Sequence, residues 1–127
     1  MSPASSEVNK SQKEVKRGEV WRIAFDPTRG SEIRKTRPAV IISSDAIRAL
    51  PVRLVAPVTG WKAKFKRNLW HVHIEANDRN GLSKASAVDA LQVRSVDTSR
   101  CLKRLGRVSA TKLEDIVTAV AVVIQYR

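Results

Sequence analysis

Sustained helical spacing occurs only at the end of this 127-residue chain, and everything before it is cut into segments too short for long helices. Leu113, Ile116, Val117, Val120, Val123 and Ile124 recur at three- and four-residue intervals and so form one face of a helix. Ser109 has the chemistry of its N-cap, and Glu114 and Asp115 suit the positive end of the helix dipole. Upstream, Trp21, Ile23 and Phe25 alternate along a strand over 19–25, which Asp26-Pro27 stops. The apolar run from Pro38 to Ser43 reads as a central strand. Ser44 to Leu50 fits one or two helical turns before Pro51, and Arg53 to Val58 is another strand. Trp70, Val72 and Ile74 then alternate with His71, His73 and Glu75 before a turn over 76–81. Ala85 to Arg94 predicts a further strand, followed by a helical turn near 99–102 and a brief strand over 105–108. Many short strands with one terminal helix predict a mainly β, strongly bent sheet or barrel; on this pattern an OB-like barrel fits as well as any other.

The chain is the length of one domain. Residues 1–15 are rich in Ser and charge and poor in large apolar groups, so a flexible N-terminal tail is expected ahead of a domain over 16–127. No apolar run is long enough to span a bilayer and the start lacks the hydrophobic stretch of a secretory signal, which predicts a cytoplasmic protein with no membrane association. Cys101 is the only cysteine, and with just His71 and His73 beside it in kind the usual zinc ligand sets are lacking, so neither a metal nor another cofactor is expected. Cys101 reads as a core or boundary residue.

Lys and Arg total 24 against 12 for Asp and Glu, a formal net charge of +12 that favours an anionic partner. The cations cluster in two predicted loops, Arg34, Lys35 and Arg37 in one and Lys62, Lys64, Lys66 and Arg67 in the other. Arg37 ends a polar loop at the mouth of a buried strand, where a guanidinium can grip a phosphate through two parallel hydrogen bonds. Thr59 closes the strand before Gly60, where its hydroxyl can donate to a phosphate oxygen. An arginine before proline equally suits a carboxylate at a strand start, and a threonine before glycine equally suits a turn. Between Trp61 and Trp70 cations interleave with aromatics, a mixture fit for single-stranded RNA; Trp61 and Phe65 are the stacking candidates and Trp70 is expected to turn inward. His71 and His73 read as surface residues.

The run Lys16-Arg17-Gly18-Glu19-Val20-Trp21, the loop Asp26-Pro27-Thr28-Arg29-Gly30-Ser31-Glu32 and the stretch Lys35-Thr36-Arg37-Pro38-Ala39-Val40 together resemble the MazF/PemK (Kid-like) toxin endoribonucleases. The likeness resumes, more loosely, at Val55-Ala56-Pro57-Val58-Thr59 and at Gln92-Val93-Arg94-Ser95-Val96-Asp97. It implies an SH3-like, barrel-type bent antiparallel sheet with a C-terminal helix, working as a homodimer. It also implies the toxin of a type II toxin–antitoxin system, an mRNA interferase held in check by an acidic antitoxin. Arg37 and Thr59 match the family's catalytic pair, and Ser31 and Glu32 lie in the loop that covers the cleavage site. Lys35, Trp61, Lys62, Lys64, Phe65 and Lys66 are the further candidates for binding RNA. Some relatives carry an Asp immediately before the residue matched by Gln92; Leu91 stands there, with Asp89 two residues earlier, so the general base is left unassigned.

The expected reaction is cleavage of single-stranded RNA by its own 2′-hydroxyl, leaving a 2′,3′-cyclic phosphate and a 5′-hydroxyl, with Arg37 stabilising charge on the scissile phosphate. Two other readings stay open: a CcdB-like topoisomerase poison and an RNA-binding module without catalysis. The first depends on a Trp-Gly-Ile C-terminus, where this chain has Gln125-Tyr126-Arg127.

Overall fold

The computed structural model describes residues 14–25 and 35–126. Seven strands, β1 (Glu19–Ala24), β2 (Thr36–Ile41), β3 (Val52–Gly60), β4 (His71–Ile74), β5 (Ser86–Asp89), β6 (Arg94–Asp97) and β7 (Cys101–Arg107), precede the helix α1 (Ala110–Val123). They form one antiparallel sheet in the order β4-β5-β3-β2-β1-β7, with β6 also paired to β3. The bent antiparallel sheet and C-terminal helix therefore stand as expected, but the sheet is open, with β4 and β7 as unjoined ends of the strand order among the described residues.

Both faces of the central strands are covered. Trp21, Ile23, Ala39, Ile41 and Val55 pack with Val96 and Cys101 on one face, while Val20, Val40, Ala56 and Val58 pack with Val88 and Ile116 of α1 on the other. Double coverage is why β2 reads as a continuous apolar run, since Ala39, Val40 and Ile41 are all fully buried. Ser109 caps α1 by accepting from the Lys112 N–H at 3.1 Å. Ile116 and Ala119 are buried, whereas Ile124 lies past the helix end and is exposed.

Three expectations are corrected. The strand predicted over 85–94 is two strands, β5 and β6, separated by a 3-10 turn at Ala90–Gln92 that Asp89 caps through the Leu91 N–H at 2.9 Å. Val15, grouped with the tail, is buried in the core, and its carbonyl accepts from Arg53 Nε at 2.9 Å. The short strand expected over 105–108 begins instead at Cys101.

Two prolines govern the middle of the sheet. Ile42 N donates to Leu54 O at 2.9 Å, so antiparallel alternation makes Val40–Ala56 and then Pro38–Val58 the next hydrogen-bonded pairs. Pro38 can accept there but has no N–H to donate, and the ladder ends at Ala39–Pro57. Pro57 points its missing donor at the other side of β3, where the neighbour changes from β6, paired through Val55, to β5, paired from Val58. Beyond this point β2 pairs only with β1, and the end of β3 only with β5, which leaves a seam between them.

Candidate active site

The seam is where the two principal candidates meet. Extending the β2–β3 register two steps past Ala39–Pro57 sets Arg37 opposite Thr59 on one face of the sheet. Both line a cavity of about 500 Å³. Arg37 is exposed and Thr59 half-buried, so both are open to an entering molecule. Among the described residues no carboxylate forms an ion pair with Arg37. A hydrogen-bonding guanidinium and a hydroxyl thus face one open space.

The opposite wall comes from β4, β5 and the turn that follows β5. His71 and Asp89 are direct partners in the β4–β5 register, and His71 Nε2 lies 3.6 Å from Asp89 Oδ2. The His71 side chain is only 8% exposed, against the expectation of a surface residue. Phe65 covers it in a parallel stack, with ring centroids 3.8 Å apart and planes at 14°. Asn68 Nδ2 stands 3.0 Å from His71 Nδ1; with the amide donating there, a neutral ring carries its proton on Nε2, facing Asp89. Gln92 and Arg94 complete this wall. Arg94 sits 5.5 Å above the Phe25 ring, a cation–π contact that fixes a second guanidinium in the cavity.

The other candidates divide. Lys35 and Phe65 line the cavity. Trp61 lies beside it, edge-on to Phe65 at 6.0 Å and 4.4 Å from the His73 ring, so it belongs to the same aromatic cluster without lining the space. Lys62, Lys64 and Lys66 are exposed on and before the 3-10 turn Ala63–Arg67, as a cationic rim outside the cavity. Trp70 is half-buried, 5.9 Å from His71. His73 remains exposed, 3.8 Å from Glu75. Ser31 and Glu32 lie outside the described residues. His71 was missed because two histidines on one strand look like a solvated face; its signal was a carboxylate at the matching position of the neighbouring strand.

The matching family model, PemK-like, MazF-like toxin of type II toxin–antitoxin system, spans residues 16–124. The chain belongs to this family. Endoribonuclease MazF9 of Mycobacterium tuberculosis is 39% identical over 108 residues, covering 80% of this chain and 89% of the relative. Endoribonuclease MazF of Staphylococcus saprophyticus is 33% identical over 107 residues, covering 84% and 88%. Among solved structures, a MazE–MazF complex from Deinococcus radiodurans matches with a TM-score of 0.73 at 24% identity, covering 89% of this chain and 97% of that one. A mycobacterial endoribonuclease in complex with its cognate antitoxin matches at 0.70 and 20% identity, covering 90% and 98%. These structures share the MazF/PemK fold, in agreement with the bent sheet and terminal helix described above.

Proposed function

We propose that this toxin is a metal-independent endoribonuclease that cuts single-stranded RNA at the Arg37–Thr59 seam. The observation that carries the reading is the convergence of Arg37 and Thr59 on one open cavity, in a chain whose curated relatives are named endoribonucleases. RNA brings its own nucleophile, so the protein has only to align the 2′-hydroxyl with the phosphorus, stabilise charge and move protons. Arg37 would hold the scissile phosphate by charge and hydrogen bonds while keeping its own protons. Thr59 would donate to a nonbridging oxygen, and Arg94 would add positive charge from the far wall.

For the proton of the attacking hydroxyl we assign Asp89 as acceptor. Its Oδ1 is engaged by the Leu91 N–H, and its Oδ2 faces His71 Nε2, whose N–H would steady and orient the carboxylate. In the reaction the 2′-oxygen bonds to phosphorus, the bond to the 5′-oxygen breaks, and the leaving oxygen takes a proton from water. The products are a 2′,3′-cyclic phosphate and a 5′-hydroxyl. Phe65, with Trp61 behind it, offers a face on which a base can stack.

We further propose that the protein acts in the cytoplasm as a homodimer, checked by an acidic antitoxin segment that competes with RNA for the cationic cavity. The net charge of +12 favours such a segment, and the matched structures include an endoribonuclease in complex with its cognate antitoxin and MazE–MazF complexes. Exposed Val52 and Leu54, on one face of β3, support a self-associating surface. The deciding experiment incubates purified protein with a long RNA in EDTA and maps the cut sites and end groups. Cyclic phosphate and 5′-hydroxyl ends support the proposal. Dependence on added metal, or a gel shift with no fragments, contradicts it.

A further inference from the structure

A second cleft, of about 310 Å³, meets the first at the same two residues, since Arg37 and Thr59 line both. It opens on the opposite face of the sheet, where Arg22, Pro38, Val58 and Gly60 turn their sides away from the first cavity. Among the described residues its lining holds Arg22 and Lys84 beside Arg37 and contains no carboxylate. Among the described residues, neither Arg22 nor Lys84 makes a side-chain hydrogen bond or ion pair, and both residues are exposed.

Lys84 is held in place by the chain around it. Ser86 Oγ donates to the Lys84 carbonyl at 2.8 Å. The preceding turn is pinned by buried Asn80, which accepts from the Asn77 and Leu82 N–H groups and donates to the Glu75 carbonyl. Gly81, at φ +68°, tucks against β7 so closely that a Cβ would lie 2.0 Å from the Leu105 oxygen. The lysine stem then crosses Gly60: a Cβ there would stand 3.1 Å from Lys84 Cε and 3.2 Å from Nζ. The end of the Lys84 side chain thus lies against Gly60, the residue after Thr59.

We propose that the Arg22–Lys84 cleft is a second phosphate subsite, which takes the linkage adjacent to the scissile one as the RNA strand passes over the seam from one cleft to the other. This rests on the nuclease reading for the identity of the central phosphate. It assigns Lys84 and Arg22 a binding role, anchoring the strand so that the 2′-hydroxyl meets the Arg37–Thr59 pair.

The test uses a short RNA containing a mapped cut site, with either flanking linkage made uncharged as a methylphosphonate. Lys84→Met should raise KM about tenfold with kcat little changed, the effect of losing one charge-assisted hydrogen bond. The salt dependence of RNA affinity should weaken by about 0.7 in logarithmic slope, one phosphate's worth. Neutralising one flanking linkage should cost the wild type a similar factor and cost Lys84→Met nothing further, as coupling between the two groups requires. Arg48→Gln, an equal change of charge at an exposed site lining neither cleft, should leave KM and slope unchanged. Equal KM, affinity and salt slope for wild type and Lys84→Met overturn the subsite. Failure of the wild type to cut any RNA overturns the nuclease reading alone, since the affinity and slope comparison still reads the cleft.

Discussion

Arg37, Thr59, Asp89 and His71 carry the proposed chemistry, and each predicts a different loss. Arg37→Ala and Thr59→Ala should fold with unchanged circular dichroism yet lose on the order of a hundredfold or more in kcat in EDTA. Retained cleavage by Arg37→Ala would remove the central assignment. Asp89→Asn should lower kcat by about 10²–10⁴ as expected for loss of a proton acceptor. His71→Phe keeps an aromatic ring against Phe65 but no nitrogen at Asp89, so it should cost kcat less than Asp89→Asn does. A His71→Phe enzyme with wild-type kcat would show that the ring only packs. Arg37 and Thr59 were visible in the sequence through their match to the family's pair, since an Arg-Pro step and a Thr-Gly step mark strand ends but suit an ion pair or a turn equally well. Asp89 and His71 were obscure because their meaning lies in a pairing between strands separated by the whole 75–85 connection.

At the scale of elements, β2 and β3 show how a local rule shapes a site. Pro38→Ala restores an N–H that can reach Val58 O, closing the ladder by one bond. The new amide at position 38 should be protected from hydrogen exchange, while cleavage should fall by about ten- to a hundredfold as the seam narrows and misplaces its groups. An unprotected amide, or full activity with a protected one, would contradict this account of the seam. Arg53 in β3 illustrates the reverse problem for reading a sequence. Hydropathy sends Arg53 out and Leu54 in, yet Arg53 is 4% exposed and Leu54 is 42% exposed. The guanidinium donates to the carbonyls of Val15, Arg48, Leu50 and Val52, tying the segment before β1 and the turn after β2 to the sheet. Arg53→Met leaves those carbonyls short of donors and should cost about 2–3 kcal/mol, a drop in Tm of roughly 10 °C in thermal melting.

Across the whole molecule, charge and shape act together. The cationic rim of Lys62, Lys64 and Lys66, the two clefts and the Lys35 approach lie around one seam, so binding should be strongly ionic. Affinity for a single-stranded RNA should fall with salt at a logarithmic slope of about −0.7 per phosphate engaged, measured by fluorescence anisotropy. A nearly flat dependence would exclude a path across both clefts. An acidic antitoxin segment competing for the same surface should lose inhibition along with RNA affinity as salt rises.

Most of the strand segmentation, the single terminal helix and the Ser109 cap follow from the sequence, because each depends on neighbours a few positions apart; the excess of cations is composition, and Arg37 and Thr59 came as candidates with the family resemblance. Whether the sheet closes, which way Arg53 points, and how Asp89 meets His71 depend on groups distant along the chain. The seam belongs to both levels: its prolines are plain in the sequence, but what a missing N–H does depends on which strand stands opposite, and only tertiary pairing decides that.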